Sequence, residues 1–148
     1  MAFHFPLQAV LHFRQSIERQ QELRLGAANQ LVVRARHLIE QVEARRQELD
    51  STRVRELSAG VTSAELRFAG QCDAELVRQR RMLEPQLARL EQLCREQREI
   101  FQQARRAREM LEGVRDRQLR VYQKQAARRE QRRLDDLFLL QREYLRRG

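Results

Sequence analysis

The chain reads as helix almost from end to end, and only one stretch carries the chemistry of a tight turn. Residues 58–65 read Ser-Ala-Gly-Val-Thr-Ser-Ala-Glu. Gly60 can take the left-handed conformation that closes a helix. Thr62 followed by Glu65 is a capping box, in which each side chain satisfies a free N–H at a new helix start. One turn between two long helical tracts leaves a simple arrangement: an all-α chain, two long helices folded back as an antiparallel coiled-coil hairpin. The expected layout is a single domain over residues 1–148, with helix 1 over about 5–58, the turn at about 59–62 and helix 2 over about 63–145. A looser connector across about 58–75 competes with the tight turn, because Gly70 and the Gln71-Cys72-Asp73 that follows could interrupt the second helix.

Composition agrees with long helices. Only 5% of the residues are aromatic and 34% are charged, with 5 Gly and 2 Pro in 148 residues; that balance marks helical rods rather than a mixed fold. Two arms bury a seam and no large core. In the first arm Leu7, Val10, Ile17, Ala28, Leu31, Ala35, Leu38, Val42 and Leu49 follow a 3–4 spacing, interrupted by Arg14, Gln21, Arg24 and Arg45. Leu11, Leu25, Val32 and Ile39 widen the stripe on one side. Pro6 suits an opening turn, where its missing N–H costs nothing. Gly26 costs roughly 1 kcal/mol relative to Ala without ending the helix.

The second arm continues the pattern through Leu66, Cys72 or Ala74, Leu76, Leu83, Leu87, Leu90, Leu93 or Cys94, Ile100 or Phe101, Ala104, Ala107, Leu111, Val114 and Val121. Pro85 lies inside it and removes one ladder hydrogen bond, so the sequence predicts a kink or brief break near residues 81–85. With the turn at 60–61, residue i faces roughly residue 121 minus i, which sets Leu7 opposite Val114 and leaves residues 115–148 overhanging. The overhang carries much of the chain's net charge of +9, and it holds a late apolar cluster of Leu134, Leu137, Phe138, Leu140, Tyr144 and Leu145. Apolar groups without an internal partner point to contact with another protein. The competing reading is a solvated, partly disordered tail, since an unpacked helix is only marginally stable.

Chemistry for catalysis is missing from the pattern. No phosphate-cradling glycine loop, metal-ligand spacing or nucleophile–base constellation occurs; His4, His12 and His37 are scattered, and Cys72 and Cys94 have no histidine near them in sequence. The expectation is no enzyme, no cofactor and no metal. The two cysteines suit a reduced compartment. Glu18, Glu22, Glu43, Glu48 and Glu91 read as solvated surface partners of nearby arginines. No apolar stretch is long enough to span a bilayer, and the opening MAFHFPLQAVLHF lacks the basic start and cleavage site of a signal peptide. The positive charge admits nucleic acid. Interspersed acidic residues, few aromatics and an apolar end argue against it. Membrane-surface binding is disfavoured by the shortness of the apolar face.

Several short motifs carry a family resemblance over almost the whole chain. Phe3-x-Phe5-Pro6-Leu7-x-x-Val10-Leu11 followed by Arg14 resembles the start of the flagellar export protein FliJ. So do Leu57-x-x-Gly60, the Arg117-Gln118 to Tyr122 stretch, and Arg129-Glu130-Gln131-x-x-Leu134-Asp135-Asp136. Pro85 departs from the family pattern. The resemblance implies a soluble component of the flagellar type III export apparatus, similar to the central stalk of rotary ATPases. Its paired helix termini would insert into the hexameric export ATPase and promote its assembly or activity. The rest would reach toward the membrane export gate, and export chaperones are further partners. It implies a cytoplasmic protein, peripheral at the inner membrane. Carried onto this chain, the ATPase-facing end comprises Phe3, Phe5, Leu7, Val10 and Leu11 from the first arm. Arg117, Tyr122, Arg129, Glu130 and Leu134 join from the second arm, together with Arg133, Leu137 and Phe138 of the late cluster. A self-associating structural coiled coil is the alternative from another class, with a basic nucleic-acid-binding helical protein behind it.

Overall fold

The computed structural model describes residues 2–148 and consists of two helices, α1 (Gln8–Ala59) and α2 (Ser63–Arg147), packed as an antiparallel hairpin. The turn forms as its residues dictate. Gly60 sits at φ 89°, the left-handed region that L side chains resist. The capping box closes in both directions, with the Thr62 N–H donating to Glu65 Oε2 at 3.0 Å and the Glu65 N–H donating to Thr62 Oγ1 at 3.3 Å. α2 then runs without interruption through Gly70, so the looser connector does not occur.

At the other end α1 starts at Gln8, after a turn in which the Gln8 N–H bonds the Phe5 carbonyl at 3.1 Å. Pro6 is the second residue of that turn, a position its fixed φ favours. The expected break at residues 81–85 is likewise missing: Pro85 lies inside α2 and the helix continues on both sides. Losing one ladder bond is tolerable in an 85-residue helix. Arg80 also ties this turn to both arms, reaching Glu84 at 2.9 Å and Glu43 of α1 at 3.0 Å.

The packed face follows a seven-residue repeat. On α1 the covered rows are Leu11, Glu18, Leu25, Val32, Ile39, Arg46 and Arg53, and beside them Gln21, Ala28, Ala35, Val42 and Leu49. On α2 they are Leu76, Leu83, Leu90, Gln97, Ala104 and Leu111, with Arg80, Leu87, Cys94, Phe101, Arg108, Arg115 and Tyr122. Repeats of this kind define a coiled-coil seam. The seam keeps Ala28, Ala35, Val42 and Leu49 of the expected stripe and the residues that widen it, and leaves out the stripe's other edge. Leu11, Leu25, Val32 and Ile39 lie along its middle, whereas Leu7, Val10, Leu31 and Leu38 are left exposed. Contacts divide the hairpin into two compact units, Arg19–Gln102 and the N-terminal segment to Glu18 with Gln103–Gly148.

In the Arg19–Gln102 unit an apolar stretch containing buried Val32, Ala35, Val42 and Cys94 is bordered by polar layers. Gln97 Nε2 donates to Gln21 Oε1 at 2.7 Å, and the Cys94 thiol donates to Asn29 Oδ1 at 2.8 Å. Arg36 meets Glu91 at 2.8 Å and Arg46 meets Asp73 at 2.8 Å. That last hydrogen bond and ion pair hold the Asp73 carboxyl below the usual carboxylate range and raise the Arg46 guanidinium. Polar groups at seam positions cost stability but fix register, because a slipped helix would strand them without partners. Among the described residues no buried side-chain nitrogen or oxygen lacks a partner.

Candidate functional site

The segment to Glu18 and the second half of α2, from Gln103 on, form the unit in which every residue of the candidate site lies. Residues before α1 fold over the side of α2 and extend its cover. Phe5 is 4% exposed and Leu11 is fully buried at 0%. Phe3 packs on Tyr122, ring centroids 5.6 Å apart and planes tilted by 52°. A shallow groove lined by Phe3, His4, Arg117, Val121, Tyr122 and Gln125 opens beside this contact.

Glu18 is the largest departure from the surface role expected of it. Its carboxylate accepts from both Nε and Nη2 of Arg108, a seam residue 90 positions away, and Arg108 Nη1 donates to Glu112 Oε2 at 2.6 Å. The side chains of Arg108 and Glu18 are 19% and 16% exposed. Two carboxylates on one half-buried guanidinium hold it firmly charged, with the Glu18 hydrogen bond the main cause. Forked pairing of this kind fixes direction as well as distance. Glu43 and Glu91 also turn out to bridge the two helices, whereas Glu22 and Glu48 are exposed.

These pairings shift the register at this end. Glu18, expected near residue 103, meets Arg108, and Phe3, expected near residue 118, meets Tyr122. The free tract consequently starts later than residue 115. Val114, Arg115, Leu119 and Tyr122 are half-buried, and every residue from Gln123 to Gly148 is exposed.

The candidate residues fall into three groups. Phe5 and Leu11 are inside the seam, and Phe3 and Tyr122 pack on each other at its edge. Leu7 and Val10 are exposed beside them, as is Arg117, whose Nε donates to the Gly113 carbonyl at 3.3 Å. Arg129, Glu130, Arg133, Leu134, Leu137 and Phe138 stand in the unpaired tract, where Leu134 is 52% and Phe138 63% exposed. What sequence reading left out is the polar seam pair Glu18–Arg108. Its signal was present, since Arg108 falls seven residues after Phe101 in the seam row.

The chain matches the family described as Flagellar FliJ protein over residues 3–148. It belongs to the FliJ family. FliJ proteins are non-catalytic structural components of flagellar protein export. No curated protein and no solved structure gives a significant match. Among the described residues no helix is long and apolar enough to cross a membrane, and no cluster of His, Cys, Asp and Glu could hold a metal ion.

Proposed function

We propose that this FliJ protein is the stalk of the export machine, inserting the end that carries its helix termini into the hexameric export ATPase and linking that ring to the membrane export gate. The observation that carries the reading is the tract from Gln123 to Arg147, helical yet wholly exposed, ending in Leu134, Leu137, Phe138, Leu140 and Leu145. Exposed apolar groups gathered at one end call for a partner surface. Phe3, Leu7, Val10 and Arg117 stand at the base of the tract, where the rim of such a partner would meet them.

The mechanism on this reading is allosteric. A single asymmetric helix pair inside a sixfold ring makes the subunits inequivalent and biases their nucleotide states through unequal contacts. The chain contributes contacts and charge, and hydrolysis stays with the ring. Its place is cytoplasmic, at the inner face of the membrane through the apparatus, with export chaperones as further partners.

Removing residues 123–148 tests the reading. The shortened hairpin is expected to keep its helicity per residue and its thermal midpoint. Binding to the export ATPase and stimulation of hydrolysis are expected to disappear. A stable dimer in solution with no effect on the ATPase, or unchanged affinity after truncation, refutes it.

A further inference from the structure

The unpaired tract changes character along its length. Seam rows on α2 pass through Arg108, Arg115 and Tyr122 and through Ala104 and Leu111. Continued at seven-residue steps, they reach Arg129 and Arg132, with Arg128 and Arg133 on either side. These four arginines stand on the side that α1 would cover if it were longer. None has an ion-pair partner among the described residues.

Farther along come Leu137, Phe138, Leu139 and Leu140. Consecutive helical side chains are about 100° apart, so four in a row encircle the helix. All four are more than half exposed, and Leu134, Tyr144 and Leu145 thicken the band on either side.

A helix turn that is apolar all round is stable when it is covered all round. A groove, a lipid surface or a second helix lying alongside covers one side only and leaves about half the girdle in water.

We infer that residues 128–145 are shaped for a closed protein socket with two kinds of wall. An apolar collar surrounds Leu137–Leu140. Carboxylates about 12 Å back along the helix face the arginine side. The inference rests on the reading that this end enters the ATPase ring, and it adds the chemistry of the ring's lining.

The test uses the full-length chain and the assembled export ATPase. A benzoylphenylalanine photo-crosslinker is placed singly at positions 137, 138, 139 and 140. All four are expected to crosslink to the ATPase in comparable yield. Replacing Arg128, Arg129, Arg132 and Arg133 together by Gln is expected to weaken ring binding about tenfold or more at moderate salt, with the gap closing at high salt. Crosslinks from one or two neighbouring positions only, with ring binding intact, overturn the closed socket and leave ring insertion standing. Crosslinks between copies of this chain overturn it in favour of a dimer. Silence at all four positions, together with binding that survives removal of 123–148, removes the ring reading as well.

Discussion

The middle of the hairpin and its last 26 residues are built from the same few side chains, mostly Arg, Glu, Gln and Leu, yet they use them differently. Between Val32 and Arg46 each arginine or glutamate that reaches the seam finds its opposite on α2, as Arg36 does with Glu91, Glu43 with Arg80 and Arg46 with Asp73. Opposite them on α2, Leu76, Leu83 and Leu90 turn inward at every seventh residue. In the tract from Gln123 onward the four arginines at 128–133 have no such counterpart, and the leucines go round the helix instead of along one face. Helix propensity is similar in the two regions. What separates them is whether a second helix is present to select a face. Where it is present, composition becomes structure; where it is absent, composition becomes an offer to a partner.

Substitutions can break that contrast. Leu11→Ala is expected to have the largest effect on stability, about 3 kcal/mol, because the side chain is wholly buried and little around it can collapse into the space. Urea unfolding followed by circular dichroism measures it. Arg108→Ala is expected to cost about 2 kcal/mol, leaving Glu18 half-buried without its forked donor; the same titration, compared with a Glu18→Gln, Arg108→Gln double variant, separates the pair from the packing. Leu137→Ser with Phe138→Ser is expected to change stability by under about 0.5 kcal/mol, as surface substitutions do, while weakening ATPase binding strongly. A loss of stability close to that of Leu11→Ala would mean that the tract has a partner within its own chain, and the contrast would fail.

Much of the fold could be read before the structure was known, and the reasons are local. The Gly60 turn and the Thr62–Glu65 capping box each depend on residues within a few positions of one another, and both form as expected. Which edge of the apolar stripe stays in water was harder. On α1 the row of Val10, Ile17, Leu31 and Leu38 and the adjacent row of Leu11, Leu25, Val32 and Ile39 are both apolar and about 100° apart, so periodicity alone does not choose between them. The choice is made across the hairpin, by Glu18 meeting Arg108 and Arg46 meeting Asp73, and such pairs are invisible to a reading of one helix at a time. The exposed late cluster was legible because Leu137–Leu140 is a run no single face can absorb. Its lower boundary was not, since the cover given to Tyr122 comes from Phe3, outside either helix.

The single turn also sets an order of events. Arg46 and Asp73 are 27 residues apart along the chain, and Glu18 and Arg108 are 90 apart. Closing the second pair directly would cost more chain entropy than closing the first, whereas closing it after its inner neighbours adds only a few residues of freedom at a time. Folding is therefore expected to zip outward from Gly60, with the pairs nearest the chain ends last to form and first to open. Hydrogen exchange would register this as amides of Gln8–Glu18 losing protection before those of Val32–Val42. In a hairpin of this design the register is held from the turn outward, so the Glu18–Arg108 pair is expected to open before the Arg46–Asp73 pair does.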